Sequence, residues 1–307
     1  MAGDLVVPGS TANLGGGFDT LGVALQLYLR ARIVDVRDDG GTSLTVVSST
    51  PPVKGRNSVE RAFDAMAKQT GRRTPSVFVE VVSDIPMAAG LGSSAAATVA
   101  GVRIFEHVSG PVPDGLLLKV AASLEGHADN AAPALFGGMT SVVDLDNGES
   151  RVLRWRWPDD LRVIVATPVM GLATAKARAA LPDMVSRKDA VFNLQRVLSL
   201  VHALHSGEYE RLREAVRDKW HQPARAALVP QLDAVLALED RDILGAFLSG
   251  AGPSVALLAR REFERLEQLV TSTYERAGLH VTVRTLSVHQ SSEAADGALA
   301  AARGRTV

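Results

Sequence analysis

The sequence predicts an α+β fold, in which strands and helices are mixed along the chain and do not alternate strictly. Strand-like segments with partial apolar and polar alternation dominate the first half, and long segments with helical spacing dominate the second half. Three glycine-rich segments lie between these elements. Because glycine lets a backbone turn tightly and approach a ligand closely, these segments are the first candidates for a functional site.

The composition is that of a globular protein and excludes several classes of function. The 307 residues include 33 Lys and Arg against 34 Asp and Glu, and a net charge of −1 gives no sign of a nucleic-acid or membrane-surface partner. Cysteine is absent, which excludes disulfides and thiolate catalysis. The N-terminus lacks the basic flank and apolar stretch of a signal peptide, and no apolar run approaches the roughly 18 residues of a membrane span. We therefore expect a cytoplasmic protein without a membrane segment.

In the first half, apolar and β-branched residues predict strands, and apolar residues at helical spacing predict helices. The predicted strands are Leu5–Val7, Gly22–Val36, Ser43–Val47, Ser76–Val82, Gly138–Val143 and Val152–Trp157. The predicted helices are Asn57–Gln69, Ala95–His107 and a segment around Leu117–Leu124 that ends near Glu125.

In the second half, the longest patterns have helical spacing. The predicted helices are Ala190–Ser206, Glu208–Asp218, Gln231–Glu239 and Glu262–Arg276, and the predicted strands are Leu161–Ala166, Gly245–Leu248, Ser254–Leu258 and Leu279–Leu286. A boundary near Pro158 divides the chain into two predicted domains, 1–157 and 158–307, although no linker marks it.

The segment Pro86–Ala95, PMAAGLGSSA, predicts a phosphate-binding loop. Its glycines permit a tight turn, and the helix that follows presents free N–H groups and the positive end of its dipole to an anion. It is not a Walker loop, because no Lys-Ser or Lys-Thr pair closes it, and it lacks the third glycine of the Rossmann fingerprint. Taken alone, such a loop is more often an ordinary helix start.

Two further glycine-rich segments favour the interpretation as a phosphate-binding loop. They are Pro8–Gly22 (PGSTANLGGGFDTLG) and Leu248–Ser254 (LSGAGPS). In this order and at these separations, the three segments resemble the three motifs of the GHMP kinases, and the middle one matches the family's phosphate loop. The resemblance implies a two-domain fold: an N-terminal domain like the second domain of ribosomal protein S5, then a ferredoxin-like C-terminal domain. It places the active site in the cleft between them.

Within that family, the chain resembles the homoserine kinases. Galactokinases and mevalonate kinases carry a basic residue directly after the first Pro-Gly, and Ser10 stands there in this chain. The block Glu125–Gly138 and the stretches Thr174–Arg178 and His221–Arg225 also resemble the homoserine kinases. Gly16 and Ala128 stand where that group has prolines, so the acceptor is less well determined than the donor.

The resemblance implies ATP as the phosphoryl donor and Mg²⁺ as the metal. Ser94 and Glu125 are the expected Mg²⁺ ligands, since Mg²⁺ takes one or two protein oxygens besides phosphate and water. The expected ATP contacts are Asn57, Pro86, Ala89, Gly90, Leu91, Gly92, Ser93, Ser94, Ala95, Gly250 and Gly252. Asn57 is explained almost as well as a helix N-cap. The alternative for Glu125 is a solvated helix end, which its motif disfavours.

The resemblance also implies that L-homoserine is the acceptor. Arg178 and Arg225 are the expected carboxylate ligands, because a guanidinium grips a carboxylate in a fork. Asp19 is expected to bind the ammonium, and Asn13, His127 and Asp129 to orient the hydroxyl. The residues expected to carry catalysis are Asn13, Asp19, Ser94 and Glu125, with no dedicated protein base. A homodimer is expected from the same resemblance.

Two other functions stay open at this point. One is phosphorylation of another small hydroxy acid, such as threonine or a shikimate-like acid, which the two arginines also suit. The other is a sensor that binds ATP and a ligand without catalysis, which the presence of both Ser94 and Glu125 disfavours.

Overall fold

Two β-sheets organise the protein in the computed structural model, which describes residues 4–53, 55–146 and 149–290. The first sheet contains β1 (Asp4–Ala12), β2 (Leu21–Arg37), β3 (Ser43–Thr50), β4 (Ser76–Ser83), β5 (Met139–Asp144) and β6 (Ser150–Trp155). Its order is β3-β4-β2-β5-β6, with β1 paired to β2. The β3–β4 pair is parallel and the others are antiparallel.

The second sheet contains β7 (Arg162–Pro168), β8 (Gly245–Leu248), β9 (Val255–Ala259) and β10 (Val281–Leu286). Its order is β10-β7-β9-β8, and all of its pairs are antiparallel. The mixed sheets and their helices form the predicted α+β fold.

The helices are α1 (Ser58–Thr70), α2 (Ser93–Ser109), α3 (Asp114–Glu125), α4 (Ala131–Phe136), α5 (Thr174–Ala179), α6 (Arg187–Ser206), α7 (Leu212–Ala215), α8 (His221–Arg225), α9 (Leu232–Leu236) and α10 (Phe263–Glu275). Helix α2 packs against α1, α3 and β1, and it buries the Phe63–Phe105 aromatic pair with α1. Within the described part of the chain, no helix is long and apolar enough to cross a membrane.

Helix α1 shows how the local sequence sets an element. Its apolar residues Val59, Phe63 and Met66 recur at helical spacing, and all three are buried. The Asn57 side chain accepts a hydrogen bond from the Val59 N–H, and the Glu60 carboxylate accepts one from the Asn57 N–H. These two bonds form a capping box. The helix ends at Gly71, whose φ of 66° suits glycine.

The larger core extends across the predicted boundary near Pro158. Leu161, Val163 and Leu200 share one buried cluster with residues of the first sheet. The buried Trp157 indole donates to the Leu161 carbonyl at 2.9 Å, so the connection between the sheets is itself packed. The first sheet ends at Trp155 and the second begins at Arg162. The division into 1–157 and 158–307 stays a prediction.

Two predicted helices differ from the structure. The predicted helix Glu208–Asp218 is a 3₁₀ turn followed by the short α7, because Asp218 turns inward and accepts hydrogen bonds from Asn193 and from the Trp220 and Gln222 N–H groups. The predicted helix 231–239 is reduced to α9. Helices α5 and α8 were not predicted, because five or six residues carry too little periodicity.

Candidate active site

The phosphate loop is folded by glycines that other residues could not replace. Gly90 and Gly92 have φ values of 74° and 70°, in the left-handed region. A Cβ on Gly90 would stand 2.3 Å from the Ser249 carbonyl oxygen, and one on Gly92 would stand 2.1 Å from the Ser10 hydroxyl. Helix α2 begins directly after this turn, so its first N–H groups have no acceptor within the helix. A helix N-terminus with free N–H groups is able to bind an anion.

The three glycine-rich segments are hydrogen-bonded to one another. Ser10 N donates to the Leu91 carbonyl at 3.0 Å, which joins the first segment to the phosphate loop. The Ser249 hydroxyl donates to the Gly90 carbonyl at 2.7 Å, which joins the third segment to that loop. The Asn13 amide donates to the Gly250 carbonyl at 2.8 Å, across 237 positions of sequence. One cleft therefore contains all three segments.

That cleft is lined by most of the predicted site residues. The predicted residues that line it are Asn13, Asp19, Gly90, Leu91, Gly92, Ser93, Ser94, Ala95, Glu125, His127, Asp129, Arg178, Arg225 and Gly250. Phe18, Ala88, Asn130, Thr174 and Ala251 also line it and were not predicted.

Four predicted ATP contacts lie outside the lining of this cleft. Asn57 is buried as the N-cap of α1. Pro86 and Ala89 lie on the other side of the phosphate loop, where they line a second cavity with residues of β7 and β10. Gly252, with a φ of 85°, shapes the turn of the third segment. These four assignments stay predictions.

One wall of the cleft offers oxygen ligands to a metal ion. The Ser94 hydroxyl and the Glu125 carboxylate lie 2.9 Å apart, at the start of α2 and the end of α3. Thr98, one turn further along α2 and buried, donates to the same Glu125 oxygen at 2.7 Å. Two oxygen donors beside a helix N-terminus fit Mg²⁺, which fills its remaining positions with phosphate and water.

The two arginines also line the cleft. Arg178 forms a two-bond ion pair with Asp19, at 2.6 Å and 3.0 Å. Arg225 is buried, with 2 % of its surface exposed, and its hydrogen bonds go to the Ala177 and Gly250 carbonyls and to His221. Burial lowers the pKa of Arg225, and the nearby Arg178 lowers it further. A buried cation bonded to neutral acceptors is a site for an anion.

His127 and Asp129 form a second polar pair in the cleft. The His127 Nδ1 atom lies 2.5 Å from the Asp129 carboxylate, which is itself buried. This hydrogen bond raises the pKa of His127 above its ordinary value. Asn130 donates to the same Asp129 oxygen at 3.2 Å and accepts from Ser10 at 2.9 Å. The pair is therefore anchored to the first glycine-rich segment.

Sequence reasoning missed four residues that shape the site: Phe18, Thr98, Thr174 and His221. Thr174 and Arg178 are four residues apart on α5, as His221 and Arg225 are on α8. That spacing puts both members of each pair on one helix face. This spacing was the sequence signal that could have identified Thr174 and His221, although a role was predicted only for the two arginines.

Comparisons with known proteins identify the family of this chain. The family profile for the GHMP kinases N terminal domain matches residues 57–138, and that for the GHMP kinases C terminal matches residues 200–275. A homoserine kinase from Solibacter usitatus is 38 % identical over 89 % of this chain and 90 % of its own length. One from Deinococcus radiodurans is 43 % identical over 81 % of each chain.

Solved structures extend the similarity to the fold. The crystal structure of homoserine kinase from Cytophaga hutchinsonii superposes with a TM-score of 0.83 at 27 % identity, covering 94 % of this chain and 95 % of the other. Galactokinase from Lactococcus lactis, at 15 % identity and a TM-score of 0.72 over 94 % of each chain, shares the fold. The two-domain GHMP kinase fold expected from the sequence is thus confirmed. The chain belongs to the GHMP kinase family and groups within it with the homoserine kinases.

Proposed function

We propose that this protein is an ATP-dependent homoserine kinase, which phosphorylates the side-chain hydroxyl of L-homoserine to O-phospho-L-homoserine in threonine biosynthesis. The observation that carries the proposal is one cleft that is lined by a free helix N-terminus, two side chains with oxygen ligands, two arginines and an aspartate. The relatives named homoserine kinase support the same reading.

The donor side of the proposal rests on α2. The N–H groups of Ser93–Ala95 and the turn at Gly90 would bind the ATP phosphates. Ser94 and Glu125 would hold Mg²⁺, which supplies charge neutralisation between the phosphates when bound. Thr98 keeps the Glu125 carboxylate turned toward Ser94.

The acceptor side rests on complementary charge. Homoserine is a zwitterion at neutral pH, with a carboxylate and an ammonium on the same carbon. Arg225 and Arg178 would bind its carboxylate, and Asp19 its ammonium. Paired charges of both signs favour a zwitterion over a simple hydroxy acid, because each charge in the cleft finds a partner.

The hydroxyl would be oriented by Asn13, His127 and Asp129, without a dedicated base. Among the described residues that line the cleft there is no lysine, and Asp19 is already bound to Arg178. Phosphoryl transfer passes through a loose transition state, so position and charge neutralisation contribute more than early proton removal. The proton would leave to the transferred phosphoryl oxygens.

The test is Mg²⁺-dependent release of ADP across a panel of acceptors: homoserine, threonine, serine, shikimate, mevalonate and galactose. The proposal expects strong preference for homoserine. Preference for another acceptor would support the assignment as a kinase and contradict homoserine as its substrate. Gly16 and Ala128 would then be the first positions to test. Tight ATP binding without turnover on any acceptor would favour a sensor.

The proposal includes a homodimer in the cytoplasm. Support for the dimer comes from α6, where Val191, Leu194 and Leu198 expose 46 %, 65 % and 72 % of their surfaces at helical spacing. Light scattering after size-exclusion chromatography tests it, and a mass near the 32.4 kDa of one chain would contradict it.

A further inference from the structure

We propose that His221 is a positioning residue for the acceptor: its neutral imidazole, protonated at Nε2, holds the Arg225 guanidinium in the orientation that receives the acceptor's carboxylate. This inference rests on the proposed function and deepens it.

Two contacts determine the tautomer of His221. Nε2 lies 2.8 Å from the carbonyl oxygen of Gly15, which can only accept, so Nε2 carries the hydrogen. Nδ1 lies 3.3 Å from an Arg225 nitrogen, which can only donate, so Nδ1 presents its lone pair. Both contacts require the same neutral form, and a second proton on Nδ1 would point at a guanidinium N–H.

The surroundings of His221 favour the same state. The side chain is fully buried, and burial lowers its pKa. The carboxylate of Asp218 is 3.7 Å from Nε2, too far for a hydrogen bond, and its oxygens accept from Asn193 and from the Trp220 and Gln222 N–H groups. The nearby Asp218 carboxylate raises the pKa of His221, but burial lowers it by more, so the neutral form is favoured.

The hydrogen bonds of Arg225 to the protein involve its Nε and Nη1 atoms, and the bond to His221 is one of the contacts that fix the guanidinium. Its Nε donates to Ala177 at 3.1 Å, and its Nη1 donates to Gly250 at 3.1 Å and to His221. Among the described residues, no carboxylate oxygen lies within 4.0 Å of an Arg225 nitrogen, which is the limit for an ion pair. The fixed fork of a guanidinium means that holding Nε and Nη1 also aims Nη2. Arg225 lines the cleft, so we assign its Nη2 edge to the ligand.

The ring of Phe18 connects this arrangement to the rest of the acceptor site. The His221 imidazole stacks on it at 5.4 Å and 29°. The guanidinium carbons of Arg225 and Arg178 lie 5.3 Å and 5.6 Å from the centre of the same ring. Since Gly15 and Phe18 both belong to the first glycine-rich segment, His221 ties that segment to Arg225 through one side chain.

The experiment separates the two contacts of the imidazole with two amide variants. The oxygen of asparagine stands near the position of Nδ1 and keeps an acceptor for Arg225, whereas the nitrogen of glutamine stands near Nε2 and keeps the donor to Gly15. Steady-state KM and kcat are measured for homoserine and ATP with the wild-type enzyme, His221→Asn and His221→Gln. His107→Gln, at the exposed C-terminal end of α2, is the matched control. Melting temperatures identify variants that do not fold.

We expect His221→Gln to raise the KM for homoserine about 10- to 100-fold, the range for losing a hydrogen bond to a charged group. His221→Asn should stay within about threefold of the wild type, because the acceptor for Arg225 is retained. The KM for ATP should not change in either variant. In a double-mutant cycle, His221→Gln and Arg225→Lys should be non-additive, because His221 acts through Arg225.

Equal KM values for homoserine in the two variants would overturn the inference, as would additive effects in the cycle. If either amide variant does not fold, the cycle is run with His221→Phe, and additivity there overturns the inference equally. Absence of homoserine turnover in the wild-type enzyme overturns the proposed function and this inference together, whereas wild-type turnover with a normal His221→Gln overturns the inference alone.

Discussion

The guanidinium of Arg178 and the carboxylate of Asp19 are joined by two hydrogen bonds of 2.6 Å and 3.0 Å across the acceptor side of the cleft. Each side chain has 35 % of its surface exposed, so both are accessible to a ligand. A zwitterion offers each of them a new partner of opposite charge. Acceptor binding can therefore replace one internal ion pair with two intermolecular ones, and neither charge is left unpaired.

The exchange of ion pairs predicts the effect of Asp19→Asn. We expect the KM for homoserine to rise at least about tenfold, because the variant loses a charge-assisted contact to the ammonium. The kcat at saturating homoserine should fall by less than about tenfold, because no step assigns proton removal to Asp19. Steady-state kinetics in both substrates measure this. A normal KM with turnover lost would show that Asp19 is a base, against the proposed mechanism.

The Ser94–Glu125 pair predicts a change in metal requirement. Glu125→Gln should raise the Mg²⁺ concentration for half-maximal rate more than about tenfold. Thr98→Val should raise it by a smaller factor, because Thr98 only orients the ligand. Binding of Mn²⁺ followed by electron paramagnetic resonance gives a readout independent of turnover. Glu275→Gln, at the exposed end of α10, is the control. An unchanged requirement in Glu125→Gln would remove Glu125 from the metal ligands.

A comparison of Gly71 with Gly90 predicts how much of the cost of an alanine in the phosphate loop comes from lack of space and how much from backbone conformation. Gly71 and Gly90 both have positive φ, but a Cβ on Gly71 would meet nothing within 4 Å, whereas one on Gly90 would meet the Ser249 carbonyl at 2.3 Å. Gly71→Ala should lower the free energy of unfolding by about 1–2 kcal/mol. Gly90→Ala should cost about 1–3 kcal/mol more and raise the KM for ATP.

Urea unfolding and ATP kinetics of the two alanine variants measure these effects. Equal loss of stability in both would show that the loop moves aside at little cost.

The His127–Asp129 pair predicts a pH dependence of stability. The pKa of His127 is raised above 6.5 by its hydrogen bond with Asp129, so the folded state binds the proton more tightly than the unfolded state does. The stabilisation is fully present below pH 6.5 and is lost as the pH rises through the raised value. The difference in free energy of unfolding between the wild type and His127→Gln should therefore be larger at pH 5.5 than at pH 9, by urea titration.

In an Asp129→Asn background, that pH dependence should vanish or reverse, because the carboxylate that raises the pKa of His127 is gone while the burial that lowers it remains. A difference that stays constant with pH in the wild-type background would contradict the assigned cause.

The elements that depend on local sequence were predictable. The apolar spacing of α1 and the alternation in β4 predicted elements whose ends differ from the structure by at most one residue. The convergence of the three glycine-rich segments followed from family resemblance, since nothing in the sequence of Asn13 or Gly250 specifies their hydrogen bond.

The parts that escaped prediction depend on long-range contacts. The sequence predicted contacts of Asp19 with the ammonium and of Arg178 with the carboxylate of the substrate, but their pairing with each other across 159 positions is a property of the folded chain. His221 was passed over because a histidine acquires a role only from its partners, Gly15 and Arg225. Helix α8, which presents both His221 and Arg225, begins just after the inward turn of Asp218 and has no periodicity of its own.

The bond between Asn13 and Gly250 also has a consequence for biosynthesis. A nascent chain that has left the ribosome only as far as α6 carries the phosphate loop, but not the third segment that supports Gly90 through Ser249. We therefore expect a chain that ends before β8 to bind ATP more weakly than the full chain, because it lacks the Ser249 and Gly250 contacts that support the loop. In that case ATP would contribute little to folding of the N-terminal half during synthesis.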